Sequence, residues 1–229
     1  MKTYGVGVFG IGWVAGEHIN AYTRNPHMRV VALGSRQRKS AQAAKERLCL
    51  DCDIADTYDE LLRRDDVDII DVCSPNALHA EQAIAAAEAG KHVVIEKPIA
   101  MNLGELRAIR DAVAKAKVKL QVGFVARLNP HIQSIRSMIS KGSVLNEKFY
   151  TKSWFPGQQG WQHFTTTFLD SGDVAHYPFQ GMMDDLAAAL LEDKEATANI
   201  HEAYKSHEIC LAIDRSIETG RAVKLPLAE

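Results

Sequence analysis

The chain has 229 residues, 46% of them hydrophobic and 24% charged, with a formal net charge of -2. That is enough apolar material for one large domain, or for one full domain and a smaller one. The basic residues are scattered, which excludes an electrostatic footprint for nucleic acid or an acidic membrane surface, and no apolar run approaches the roughly 20 residues of a membrane span.

The start, Met1-Lys2-Thr3-Tyr4, leads straight into a strand pattern without an apolar signal core, so the expected compartment is the cytoplasm. Tyr4 to Gly10 reads as a short buried strand, Gly16 to Asn25 as a helix and Arg29 to Leu33 as a second strand, a βαβ opening. A helix over Lys39 to Leu48, a turn over Asp51 to Asp56 and a helix over Tyr58 to Arg64 follow. Cys49 and Cys52 in that stretch form a C-x-x-C with no second pair at similar spacing, so a structural or incidental role is expected and no metal is assigned. The strand Asp68 to Cys73 comes next, then the alanine-rich helix Leu78 to Ala89 ended by Gly90. The strand His92 to Ile95, the helix Leu103 to Ala116 and the strand Lys119 to Val122 complete the alternation. This predicts an α/β chain whose residues 1–123 form a Rossmann-type doubly wound parallel sheet.

Beyond Gly123 the alternation weakens, and residues 124–229 read as a reduced α+β second domain. A helix is expected over Pro130 to Lys141, a strand over Glu147 to Trp154, a loop over Pro156 to Gly160 and a strand over Phe164 to Leu169. Helices over Phe179 to Leu191 and Ile200 to Glu218, then an extended Ala222 to Pro226, close the chain. Two strands alone are marginally stable, which leads to the expectation of a homo-oligomer.

Gly10-Ile11-Gly12-Trp13-Val14-Ala15 fits G-x-G-x-x-A between a strand and a helix. Gly10 permits the tight turn, Gly12 lets the backbone approach a pyrophosphate, and Ala15 keeps the helix close to the sheet. The helix start then favours the bound anion. Where the second strand ends, an acid usually accepts the ribose hydroxyls of NAD; here Ser35 and Arg36 stand, with Arg38 and Lys39 beyond. A hydroxyl and a guanidinium receive a 2′-phosphate, so NADP is the expected cofactor and NAD the alternative. A solvated basic helix start is the plainer reading of the same residues.

Val94-Ile95-Glu96-Lys97-Pro98 places a carboxylate, an ammonium and a proline at a strand end. Alone it is a charged strand end near a turn. In order with Gly10 to Ala15, Ser74-Pro75-Asn76, His79, Gly90-Lys91-His92 and Gly123 to Pro130, it resembles the Gfo/Idh/MocA oxidoreductases, the family of glucose-fructose oxidoreductase and inositol dehydrogenase. The resemblance runs to about Trp154 and resumes near Pro178. It implies hydride transfer between a nicotinamide cofactor and a sugar, polyol or related secondary alcohol or ketone. It also implies that Lys97 hydrogen-bonds the reacting oxygen and the cofactor ribose, that Ser74, Pro75 and Asn76 line the cofactor groove, and that Glu96 orients Lys97 or the ribose. Arg127 is expected to close over the nicotinamide side. His79 reads equally as a cofactor contact and as a packing residue, and His92 as packing.

The family's D-x-G-x-H segment, whose histidine is the general acid or base, is missing. Its nearest echo is Asp170-Ser171-Gly172-Asp173-Val174-Ala175-His176, with the histidine two positions late. His176 is carried as the candidate catalytic partner of Lys97, with a solvated loop histidine as the alternative. Much of the family's C-terminal domain is expected to be missing as well. Two functional readings follow: a sugar or polyol oxidoreductase, and an inactive NAD(P)-binding sensor, interaction module or deleted scaffold of the same family.

Overall fold

Short β-branched runs alternate with helix-forming segments as far as Val122, and the runs become parallel strands. The computed structural model describes residues 2–129, 132–133 and 179–227, together with strands at 144–146, 152–154 and 162–163. Strands β1 (Tyr4–Phe9), β2 (Met28–Gly34), β3 (Asp53–Ala55), β4 (Ile69–Val72), β5 (His92–Ile95) and β6 (Leu120–Val122) form one sheet. Its order is β3-β2-β1-β4-β5-β6, with every neighbouring pair parallel. Helices α1 (Trp13–Arg24), α2 (Arg38–Arg47), α3 (Tyr58–Leu62), α4 (His79–Glu88) and α5 (Leu103–Ala116) lie between the strands. This is the expected Rossmann sheet. Its order reverses between β1 and β4, and ligands of such sheets bind outside the carboxyl ends of the strands at that point.

Alternation along each strand separates two cores. Val6, Val8, Ile69 and Val94 pack with Ile19 and Tyr22 of α1, whereas Ile70, Val72, Val93 and Ile95 pack with Ala83 and Ala87 of α4 and with Leu106 and Ile109 of α5. Each fully buried Ile, Leu or Val contributes about 1.5–3 kcal/mol of transfer free energy. The alanines of α4 matter differently, because small side chains bring the helix close to the sheet.

Two further helices return to these cores. From α6 (Phe179–Leu191), Phe179, Met182, Met183 and Leu186 join the α1 side; from α7 (Ile200–Thr219), Ile200 and Ala203 join the α5 side. Residues 179–227, expected within the second unit, thus complete the faces of the first sheet. The Gln121 amide of β6 donates to the Met182 carbonyl at 3.0 Å. Asn199 caps α7 by accepting the His201 and Glu202 amides, and Gly220 ends it at φ +63.

Three short strands, β7 (Val144–Asn146), β8 (Lys152–Trp154) and β9 (Gln162–His163), pair antiparallel in the order β7-β8-β9. β8 falls within the strand expected over Glu147 to Trp154, and Ile132 and Gln133 are helical within the expected helix. The expected loop at Pro156 to Gly160, the strand Phe164 to Leu169 and the candidate His176 lie outside the described residues.

Two local expectations change. Asp53 to Ala55, read as turn, pairs with β2 as the edge strand β3. Ala222 to Pro226 forms no strand. The end of that segment is held by helices instead: Glu208 of α7 accepts the Leu227 amide at 3.0 Å, and Arg107 of α5 donates to the Leu227 carbonyl at 3.0 Å. Among the described residues, no helix is long and apolar enough to cross a membrane.

Candidate cofactor and active site

The turn after β1 is built to let something approach it. Gly10 sits at φ +94, where a side chain is strained, and a Cβ there would lie 2.4 Å from the Ser74 amide nitrogen, inside the wall made by the β4 end. At Gly12 a Cβ would meet nothing within 4 Å, so this position faces open space. Gly12 is the N-cap of α1, with no side chain bonded to the helix start and no acid in its first turn. The orphan amides of a helix start, together with the helix dipole, attract an anion. Ala15 is fully buried against the sheet, Ile11 and Val14 are half-buried, and Trp13 stands 59% exposed at the rim. This geometry fits a dinucleotide pyrophosphate.

At the end of β2, Ser35 is half-buried and Arg36 exposed. Arg38 is drawn into an ion pair with Asp56, just past β3.

Across the switch point lies a cleft of about 280 Å³, at the small end of ligand pockets. Trp13, Val14, Ser74, Asn76, His79, Glu96 and Lys97 line it, so seven of the residues singled out from sequence converge here. Cys73, Gly123, Val125 and Phe179 complete the lining. Pro75 is exposed on the adjoining turn. Lys97 is exposed and precedes a cis peptide to Pro98. The Ser74 hydroxyl donates to Gln82 Oε1 at 2.6 Å, which fixes the turn after β4 to α4. His79 is fully buried, and its ring nitrogens lie 2.7 Å from the Pro98 carbonyl and 2.8 Å from the Ser74 carbonyl. That ring ties the lysine loop to the Ser74 turn.

Arg127 does not line this cleft. Its guanidinium donates to Ser206 Oγ at 2.5 Å, lies 3.8 Å from Glu202 Oε2 and stacks over Phe124. It fastens the segment after β6 to α7. His92 accepts the Lys119 amide at 3.0 Å, and burial lowers its pKa.

Beneath the cleft is a buried polar network that the sequence reading did not single out. His18 Nδ1 lies 2.9 Å from Asp71 Oδ2, which also accepts the Tyr22 hydroxyl at 3.0 Å. The Cys73 thiol donates to Asp71 Oδ1 at 3.3 Å. On the other side, His18 Nε2 lies 3.3 Å from Glu96 Oε1, an ion-pair distance without directional hydrogen-bond geometry. Glu96 Oε2 accepts the Lys97 amide at 3.2 Å. Burial disfavours the charged form of His18, but Asp71, with Cys73 as a lesser contributor, outweighs it and raises the pKa well above the ordinary histidine value. Burial, then Asp71, pushes the Cys73 thiol up to about 12 and raises the Tyr22 phenol well above its usual value. One signal was available in sequence: Asp71 interrupts Ile69-Ile70-Asp71-Val72, and a carboxylate in a central parallel strand must find a buried partner.

The glycine turn, the strand order and the cleft at the switch point define a dinucleotide-binding Rossmann protein. The family model described as an oxidoreductase family with NAD-binding Rossmann fold, Gfo/Idh/MocA, matches residues 4–124, and the chain belongs to that family. It is 35% identical over 138 residues to an uncharacterized oxidoreductase of Bacillus subtilis, YrbE, covering 60% of this chain and 40% of the relative. To the inositol 2-dehydrogenase of Salmonella typhimurium it is 26% identical over 182 residues, 76% of this chain and 54% of the relative. The chain thus spans about half or less of the length of these relatives. The structure of scyllo-inositol dehydrogenase from Lactobacillus casei with bound NAD(H) and scyllo-inositol matches at TM-score 0.58 and 26% identity, over 62% of this chain and 42% of that one. A levoglucosan dehydrogenase in complex with NADH and levoglucosan reaches TM-score 0.85 over 99% of this chain and 100% of that one, at 17% identity, a likeness of fold alone.

Proposed function

We propose that this protein is a nicotinamide-dependent oxidoreductase that transfers hydride between the cofactor and a secondary alcohol of a sugar or polyol. The observation that carries this reading is the position of Lys97 on the cleft that opens beside the glycine turn. Gly10, Ile11, Gly12, Trp13, Val14 and Ala15 would hold the pyrophosphate, while Ser74, Pro75, Asn76 and His79 would form the wall along the nicotinamide ribose. The cofactor supplies the hydride acceptor or donor. Lys97 would hydrogen-bond the reacting oxygen, and a neighbouring cationic nicotinamide would favour the neutral amine that accepts its proton. Ser35 with the exposed Arg36 supports NADP over NAD; equal or tighter affinity for NADH than for NADPH in a titration would reject that choice.

A second reading, cofactor binding without turnover, is favoured by one observation. Among the described residues, the histidine lining the cleft and the one beneath it are committed elsewhere, His79 to two carbonyls and His18 to Asp71. Single-turnover oxidation of a polyol panel at saturating cofactor separates the two. Hydride transfer that Lys97→Ala abolishes, with most cofactor affinity kept, supports the enzyme; no transfer with any polyol leaves the binding protein. We also propose a homo-oligomer, for which Ile209, Ile213 and Ile217 offer an exposed apolar stripe at four-residue spacing on α7. A strictly monomeric mass by light scattering would count against it.

A further inference from the structure

We propose that His18 is a positioning residue for Lys97: from beneath the cleft it holds Glu96, and through Glu96 the backbone of Lys97, in register with the cofactor helix. The proposal rests on the reading of Lys97 given above. His18 belongs to α1, the helix whose start faces the pyrophosphate site, six residues beyond Gly12 in sequence. Its Nδ1 is anchored on Asp71 at 2.9 Å, and its Nε2 reaches Glu96 Oε1 at 3.3 Å. Glu96 lies against the backbone of Gly123, where a side chain's Cβ would come within 2.3 Å of Oε1, and its Oε2 holds the Lys97 amide at 3.2 Å. On the far side of the lysine, His79 faces the Pro98 carbonyl at 2.7 Å. The residues before and after Lys97 are each held by a buried histidine.

The groups facing His18 are Asp71 from β4, Cys73 just beyond it and Glu96 from the end of β5, with the Phe179 ring of α6 at 5.3 Å, while Tyr22 of its own helix donates to the same Asp71 Oδ2. Its raised pKa keeps the imidazolium between the two carboxylates. Loss of that proton removes the attraction that holds Glu96, so the positioning weakens as pH rises.

The test uses the full chain with NADPH and NADH. Acetic anhydride labelling of Lys97, read by mass spectrometry with and without cofactor, reports whether the lysine sits against the cofactor independently of turnover. His18→Gln should keep cofactor affinity within about threefold, lose the cofactor's protection of Lys97, and slow single-turnover hydride transfer on the order of 100-fold, the cost of a misplaced reacting group. The double variant His18→Gln/Asp71→Asn removes the unpaired buried carboxylate and gives the same readouts should the single variant fold poorly. In the wild type, protection of Lys97 should disappear over the pH interval in which the His18 ring deprotonates by ¹⁵N NMR. A purely structural His18 predicts lower stability with unchanged protection and an unchanged transfer rate in the folded fraction, and that result overturns the proposal. A wild type that protects Lys97 through His18 but turns over no polyol rejects the enzyme and leaves the positioning standing. Absence of any protection in the wild type rejects both.

Discussion

His18 keeps a proton in a place from which burial alone would remove it, and this has a consequence for stability with a definite sign. Its folded pKa lies above the unfolded value of about 6.5, so the folded state gains from the proton. That contribution is fully present below about pH 6.5 and is lost as pH rises through the folded pKa. Urea unfolding between pH 6 and 10 should therefore show the wild type losing stability on the alkaline side, with a smaller loss in His18→Gln/Asp71→Asn. A larger alkaline loss in the double variant would contradict the ion-pair account. This network also shows what sequence conceals at the residue scale. Asp71 announced a need for a partner, but a helix histidine 53 residues earlier is related to it only by the sheet's topology.

Element by element, the start of α1 and the turn before it separate binding from folding. Gly12 has an extended backbone and open space where a Cβ would go. Gly12→Val should therefore cost no more than about 1 kcal/mol of unfolding free energy, through the loss of a glycine N-cap. Cofactor binding by fluorescence titration should nevertheless be lost, because the branched side chain fills the approach to the helix start. Gly10→Ala should do the reverse in degree, destabilising the fold itself, since its Cβ would enter the backbone of Cys73 and Ser74. Equal loss of stability in both variants would remove the distinction. At this scale the sequence was readable wherever an element was long or regularly patterned, as with α5 and β5, whose bounds match the expectation. It was unreadable at β3, where Asp53-Ile54-Ala55 offers three residues with a charge on an edge, the kind of strand that avoids aggregation by being short and polar. The candidate site was legible as far as its motifs ran. His79 and Glu96 were found, but their roles as ties between loops depend on neighbours brought in by other elements.

For the whole molecule, the informative feature is the path of the chain. It leaves the six-stranded sheet after the turn Val125–Leu128 and returns at Phe179, and Val125 and Phe179 line the same cleft. The exit and the return are thus close in space, and the helices after the return bury the residues that the sheet would otherwise leave bare. A chain in which residues 130–178 are replaced by a short Gly-Ser linker should fold cooperatively and retain dinucleotide binding, measured by circular dichroism melting and fluorescence titration. A chain ending at residue 123 should not, because both faces of its sheet lose cover. If both fold equally well, the C-terminal helices do not contribute as argued.

Arg127, bound to α7 through Ser206 and Glu202, gives this return a clasp at the boundary. Because segments on both sides of residues 130–178 close the same core, that stretch can lengthen, shrink or be exchanged while the sheet keeps its cover.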